Sequence, residues 1–177
     1  MHRDGETGTR PASASSPEEG PLTVRVEFVN PFLESIIKVM ATMAKTEATP
    51  GRPFLKQDGC AKGDVTGIIG MAGERARGSL AITFTESAIL YIASRMLGEE
   101  LKQVDDAVAD CVGEITNMVT GGAKRILSED GYRFEMAIPS TIIGKAHIIS
   151  HRTSGSIICI PFSTMAGDFF VEICFDE

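Results

Sequence analysis

A carboxylate and an amide stand three residues apart near the middle of the chain, at Glu114 and Asn117. Asp110 precedes this polar pair by four residues and Gly121 follows it by four, so all these positions share one side of a helix. One turn apart on a single face, the carboxylate and the amide form a rigid, two-pronged polar element. Gly121 and Gly122 leave the next turn without bulk, which would let a partner surface approach closely.

The segment that carries the polar pair has the apolar period of a helix. We predict that this helix begins at Asp105 or Asp106 and runs to about Leu127. Its apolar stripe is made by Val108, Cys111, Val112, Ile115, Met118 and Val119. The stripe indicates that one face packs on a core while the polar pair faces another direction.

Two further helices and several strands are predicted around it. Asn30 and Pro31 suit the cap and the first position of a helix that runs to about Lys45. Thr85 caps a helix over about 86–97, which Gly98 closes. Strands are predicted at 23–28, 54–57, 64–71, 77–83, 134–142, 145–151, 156–162 and 169–175, with a hairpin turn around 73–75.

Two stretches of the sequence follow the same order. Residues 67–84 form a glycine-bounded apolar hairpin after one long amphipathic helix, and residues 141–162 follow the other long helix in the same way. This order favours a duplicated helix-plus-hairpin unit, although two such hairpins can also look alike by chance. In a duplicated chain the first helix has Glu34 but Ile37 where the amide would stand. Only the second helix then carries the complete polar pair.

Composition restricts the class of protein. The chain has 177 residues, 43% hydrophobic and 23% charged, with a net charge of −7. These values fit one globular domain and argue against nonspecific nucleic-acid binding. No apolar run is long enough to cross a membrane and the amino terminus lacks the apolar centre of a secretory signal, so we expect a cytoplasmic protein without membrane insertion. Residues 1–21 predict a disordered tail, and residues 22–177 a single domain.

Other candidate sites are less convincing. The four cysteines are scattered without a CxxC pair, which favours reduced thiols over zinc ligands or disulfides, and Cys111, Cys159 and Cys174 are predicted to be small core residues. His147 and His151 would face one side of a strand, but acidic or thiol ligands are lacking nearby. The glycine spacing at 67, 70 and 73 differs from that of a dinucleotide-binding loop. We therefore expect neither a metal nor a cofactor bound by this chain.

The sequence around the polar pair resembles the CheC/CheX/FliY family of bacterial phosphatases. The hallmark of that family is an acidic or small polar residue, then Glu four positions on, then Asn three further, which Asp110, Glu114 and Asn117 match. The resemblance extends over nearly all of 22–177, and the tail lies outside it. CheC-type members usually carry two such helices, whereas this chain has one, in its second half, which resembles the CheX type. Further matches are Asn30-Pro31-Phe32, Gly78-Ser79 and residues 139–144.

The resemblance implies a fold, an activity and partners. The fold would be an α/β sandwich of the α+β class, CheC-like, with two pseudo-symmetric helix-plus-hairpin halves and long helices on a mostly antiparallel sheet. The activity would be hydrolysis of the aspartyl phosphate of a CheY-like response regulator, which carries its own Mg²⁺. Glu114 would pair with a lysine of the regulator, and Asn117 would orient a water for in-line attack on phosphorus. CheX-type proteins pair through their sheets, so a homodimer is expected.

The residue types suit this chemistry. An acyl phosphate is already reactive, so positioning of the water is most of what remains. A neutral amide can accept from the water and donate to a phosphoryl oxygen, whereas the phosphoryl charge would repel a carboxylate.

Alternatives remain open from the sequence. Asp110 could orient neighbouring polar groups or only favour the first turns of the helix through its dipole. Glu114 and Asn117 could be no more than a solvated helix face. The chain could also be a noncatalytic receiver-binding or scaffold module, or an adaptor with no receiver partner.

Overall fold

The computed structural model describes residues 26–176, which form three helices and eight strands. The predicted tail, residues 1–21, lies outside this described part. The helices are α1 (Val26–Met43), α2 (Glu86–Leu97) and α3 (Asp106–Glu129). The strands are β1 (Thr49–Pro50), β2 (Phe54–Lys56), β3 (Val65–Gly73), β4 (Arg77–Phe84), β5 (Phe134–Met136), β6 (Ser140–Ile143), β7 (Ile157–Thr164) and β8 (Gly167–Asp176). All pairings between these strands are antiparallel, which confirms the predicted α+β class.

Two hairpins form the centre of the sheet. The β3–β4 hairpin and the β7–β8 hairpin lie side by side, with β4 paired to β8 from Arg77 to Phe84. The short strands β1 and β2 precede the first hairpin but pair with β7, whereas β5 and β6 precede the second hairpin but pair with β3. Each half therefore extends the hairpin of the other half, and the order of helix, short strands and hairpin occurs twice.

The second hairpin is not the one predicted from the repeat. Residues 141–143 belong to β6, which pairs with β3, and residues 157–162 belong to β7, which pairs with β8. The repeat thus relates β3–β4 to β7–β8. Apolar strands bounded by glycine have similar compositions whichever strand they pair with, so the sequence match did not identify the pairing.

The start of α1 also differs from the prediction. The alternation over 23–28 predicted a strand, but the helix begins at Val26, and the residues before it lie outside the described range. Buried apolar side chains recur at four-residue spacing from Phe28 to Met40, so the helical period continues past Asn30. Asn30 is therefore inside α1 rather than at its cap, and Pro31 is its sixth residue.

The other two helices begin where they were predicted to begin. The hydroxyl of Thr85 accepts a hydrogen bond from the Ala88 amide at the start of α2, and Gly98 closes that helix with a φ of 73°. Asp105 caps α3. Among the residues that the structure describes, no helix combines the length and apolar character that a membrane span requires.

The helices pack on the sheet around one core, and α1 lies against α3. Side chains alternate along β4, so Leu80 and Ile82 belong to this core while Ala81 faces the other side of the sheet. Ala81 there contacts a second small cluster that includes Ile149. The segment from 144 to 156 therefore covers the sheet face away from the helices.

That covering segment is not the strand predicted at 145–151. Gly144 and Ala146 have φ values of 146° and 53°, which interrupt extended backbone. Pairing in this stretch is reduced to an isolated bridge between Ile148 and Cys60. Side-chain contacts, rather than a strand ladder, hold the segment on the sheet.

Candidate active site on the third helix

The polar pair stands on α3, a continuous helix with a defined start. The carboxylate of Asp105 accepts a hydrogen bond from the Val108 amide at 3.1 Å and caps the first turn. Behind this turn the apolar stripe predicted from the sequence is largely buried, with Val112, Ile115 and Val119 inaccessible to solvent. The sequence therefore predicted both the extent of α3 and its core face correctly.

The four predicted site residues lie on the solvent side of α3. Asp110, Glu114 and Asn117 are exposed, and Gly121 is partly exposed. Because they follow each other at three- and four-residue steps in one unbroken helix, they form a single row. The amide and the carboxylates are free to meet another molecule.

One side of α3 rests directly on the backbone of β3. A Cβ atom added to Gly67 would lie 2.1 Å from the Thr116 hydroxyl and 2.9 Å from a methyl of Val112. Thr116 is buried, and its hydroxyl donates to the Val112 carbonyl at 2.7 Å. Glycine at position 67 is thus what lets helix and strand approach this closely.

A second side of α3 is held by α1 at an equally close contact. A Cβ atom on Gly122 would lie 2.1 Å from the Ser35 hydroxyl, which donates to the Val119 carbonyl at 2.8 Å. Gly121 differs, because a Cβ there would meet nothing within 4 Å. Of the two glycines predicted to admit a partner, Gly122 instead serves the internal packing of α1, and only Gly121 faces open space.

A third contact comes from β6. The Thr141 hydroxyl donates to the Ala109 carbonyl at 3.2 Å, and the position of a Cβ on Gly113 would be 3.7 Å from the same hydroxyl. With β3, α1 and β6 all bound to it, α3 presents the polar pair on a rigid support.

The first helix offers no second copy of the pair. Glu34 is exposed on α1, but Ile37, three residues on, is apolar and 41% exposed. Between α1 and α3 runs a groove of about 200 Å³, which Met118 and Arg125 of α3 share with Lys38 of α1. An exposed amide is thus present on α3, whereas an apolar side chain stands at the comparable place on α1.

The two histidines considered as a metal pair have separate partners. His147 Nε2 lies 2.7 Å from the Thr66 hydroxyl and its Nδ1 2.6 Å from the Gly144 carbonyl. His151 Nδ1 lies 2.7 Å from the Ser79 hydroxyl. Within 26–176 no group of three His, Cys, Asp or Glu side chains is arranged to hold a metal ion.

Sequence reasoning missed a buried polar network beneath the covering segment. His151 Nε2 lies 3.2 Å from a Glu172 carboxylate oxygen, and the other oxygen accepts from the Lys56 ammonium. The members are between 21 and 116 residues apart in sequence, so no short motif could reveal them. Ser79, whose hydroxyl contacts His151, is only 6% exposed. The network therefore holds the covering segment in place.

Burial also defines the state of the cysteines. All four have free thiols, and Cys60 is exposed while the others are buried. Burial, reinforced by the nearby charge of Glu172, raises the pKa of Cys159 to about 11. Burial likewise raises the pKa values of Cys111 and Cys174. These three are core thiols, as the sequence predicted.

Comparison with known proteins supports the resemblance seen in the sequence. The family model described as "Chemotaxis phosphatase CheX" matches residues 65–163. The CheY-P phosphatase CheX of Thermotoga maritima is 24% identical over 144 residues, which cover 81% of this chain and 91% of that protein.

Solved structures agree with the family match. The structure of the chemotaxis protein CheX from Vibrio vulnificus is 54% identical, with a TM-score of 0.80 over 85% of this chain and 99% of that one. The CheX–CheY–BeF3–Mg²⁺ complex from Borrelia burgdorferi contains a chain that is 29% identical, with a TM-score of 0.75 over 86% of this chain and all of that one (100%). The family model covers more than half of the sequence, and the chain belongs to the CheX family of chemotaxis phosphatases.

Proposed function

We propose that this chain hydrolyses the aspartyl phosphate of a CheY-like response regulator. Its Thermotoga maritima relative is named a CheY-P phosphatase, and its Borrelia burgdorferi relative forms a complex with CheY, BeF3 and Mg²⁺. The observation that carries the proposal is the exposed row on α3, where a carboxylate and an amide stand one turn apart on a rigid support. No comparable amide faces solvent at the matching place on α1.

In this proposal Asn117 positions the attacking water. The amide oxygen accepts a hydrogen bond from the water, and the amide N–H donates to a phosphoryl oxygen. The water oxygen forms a bond to phosphorus as the bond between phosphorus and the aspartyl oxygen breaks, which releases inorganic phosphate and a free aspartate. Mg²⁺ on the regulator neutralises phosphoryl charge, so a neutral side chain from this chain suffices.

Glu114 would dock the partner. It lies about 4.5 Å along the helix axis from Asn117, which places its carboxylate beside the amide, where it can form an ion pair with the partner. A lysine next to the phosphoaspartate is the proposed partner of this carboxylate. Such an ion pair gains strength once the interface excludes water.

Asp110 and Gly121 would support the pair at either end. Asp105 and Asp106 already provide negative charge at the start of α3, so a helix-dipole role for Asp110 is partly redundant. Its exposed carboxylate would instead add to the negative charge that Glu114 presents to the partner. Gly121 would let the partner surface approach the turn after Asn117, since nothing lies near its Cβ position.

The proposal also covers the extent of the domain, the oligomeric state and the cellular compartment. We propose that residues 22–177 act as a single phosphatase domain, that two copies associate as a homodimer, and that the protein meets its regulator in the cytoplasm. Membership of the CheX family supports the first point, since the compared structures cover about this extent.

Replacing the amide tests the catalytic role. Asn117→Ala should retain the fold and bind the regulator, but should lose roughly a hundredfold or more of the accelerated dephosphorylation, because one positioned group is removed. The measurement is the time course of phosphate release from a phosphorylated CheY-like receiver. Asn30 is the chain's other asparagine and is exposed on α1, so Asn30→Ala is a matched control and should keep full activity.

Two results would contradict the assignment. Undiminished phosphate release by Asn117→Ala would remove the amide from the mechanism. Equal rates of phosphate loss with and without the unaltered protein, despite complex formation, would indicate the noncatalytic binding module instead.

Reversing the carboxylate tests the docking role. Glu114→Lys places two cations against each other in the proposed complex, so the dissociation constant should rise by roughly tenfold or more. Titration calorimetry with a BeF3- and Mg²⁺-loaded receiver measures this change. Glu99→Lys, at an exposed position after α2, should leave affinity unchanged. A Glu114→Lys protein that binds as tightly as the unaltered one rules out the docking role.

A further inference from the structure

Lys124 lies on the same side of α3 as the polar pair, beyond Gly121. It follows Asn117 by seven residues, or two helical turns, and is partly exposed. Long helical side chains lean toward the amino terminus of their helix, so Lys124 extends over the turn that contains Gly121. Gly121 contributes no side chain there, and its Cβ position is open to 4 Å. The lysine and the asparagine therefore flank one open turn.

The charge of Lys124 is not matched inside the described part of the protein. Residues 26–176 contain ion pairs for Lys56, Lys102 and Arg125, and none of these pairs involves Lys124. Arg125, the next residue, lies 3.9 Å from Glu129 and lines the groove against α1. Lys124 is thus the cation left available on the face that Asn117 occupies.

The charges of the exposed row of α3 are therefore distributed asymmetrically along the helix. Asp110 and Glu114 place two carboxylates toward its amino-terminal end, Asn117 is neutral, and Lys124 places a cation at the other end. Glu114 and Lys124 are ten residues apart, which corresponds to about 15 Å along the helix axis. A partner that fits this row has a cation and an anion at a similar separation, and the reversed orientation opposes like charges.

We infer that Lys124 is a docking residue that binds a carboxylate on the receiver, at the rim of the site that Asn117 enters. This inference rests on the proposed phosphatase function. Lys124 starts about 10 Å along the axis from Asn117, so it reaches the rim rather than the phosphorus. Its contribution is to the affinity and orientation of the complex, and the chemical step is left to Asn117.

Neutralising Lys124 should weaken binding without slowing chemistry. With a BeF3- and Mg²⁺-loaded receiver, Lys124→Gln should raise the dissociation constant roughly three- to tenfold. With the phosphorylated receiver, the same variant should raise KM by a similar factor, while kcat stays within about twofold of the unaltered protein. Lys124→Arg keeps the charge and should restore most of the affinity. Lys102→Gln, whose side chain is 78% exposed and lies outside α3, should change neither quantity.

Ionic strength supplies the second measurement. The difference between Lys124→Gln and the unaltered protein should shrink in high salt, because salt screens an ion pair at an exposed rim. The inference is overturned if Lys124→Gln binds as tightly as the unaltered protein, or if it lowers kcat at constant KM. It is also overturned if Lys124→Arg loses as much affinity as Lys124→Gln. Failure of the phosphatase proposal is seen separately, as equal rates of phosphate loss with and without the unaltered protein.

Discussion

Gly121 and Gly122 are neighbours in the sequence with opposite surroundings. Gly122 is pressed against the Ser35 hydroxyl, whereas the space above Gly121 is empty. Both residues cost helix stability through backbone entropy, but only at position 122 does the absent side chain make room for another element. From the sequence, both glycines were predicted to admit a partner, because a glycine pair in a helix does not indicate which of the two contacts a neighbouring element of the fold.

Alanine at each glycine should therefore have effects of opposite sign. Gly122→Ala overpacks the contact with α1 and should lower the free energy of unfolding by about 1–3 kcal/mol. Gly121→Ala meets open space and should raise it by about 0.5–1 kcal/mol, the usual gain of alanine over glycine in a helix. Urea denaturation followed by circular dichroism measures both changes. Equal effects of the two substitutions would contradict the close contact between α1 and α3.

At the scale of the element, the sequence predicts best what is decided locally. Thr85 and Gly98 bound α2, and Asp105 caps α3, because caps depend on residues within one turn. The outward row of α3 was predictable for the same reason, since periodicity alone separates its core face from Glu114 and Asn117. The candidate site is thus the part of the molecule that the sequence describes most completely.

Elements that depend on distant partners were predicted less well. The repeat predicted a hairpin within 141–162, but β6 pairs with β3 and β7 pairs with β8. Strand pairing is decided in the assembled sheet, so similar composition did not identify it. The segment over 145–151 has strand-like residues, but the positive φ angles at Gly144 and Ala146 prevent a continuous strand. Contacts of its two histidines fix the segment on the sheet instead. The alternation of apolar and polar residues over 23–28 predicted a strand, but this prediction was also wrong from Val26 onward, because packing of Phe28 in the core favours the helix.

The whole molecule has two sheet edges of different character. At one edge, β1 and β2 are very short, and Pro50 and Pro53 lie in or beside them, which limits further strand pairing. At the other edge, β5 and β6 follow each other along β3, and Ala137 between them also bonds to Gly70 of β3. This second edge is longer and more apolar, and it is where we expect a second copy to pair.

Ile138 makes that expectation testable. It lies between β5 and β6 and is 90% exposed, and Ile143 of β6 is 52% exposed, so this edge presents two apolar side chains for a second copy to cover. Ile138→Asp puts a charge on this edge and should weaken the proposed homodimer roughly tenfold or more, as seen by sedimentation across a dilution series. Met165→Asp is a matched control at the β7–β8 turn, where Met165 is 85% exposed, and should leave association unchanged. Identical association of the two variants would exclude the β5–β6 edge as the dimer interface.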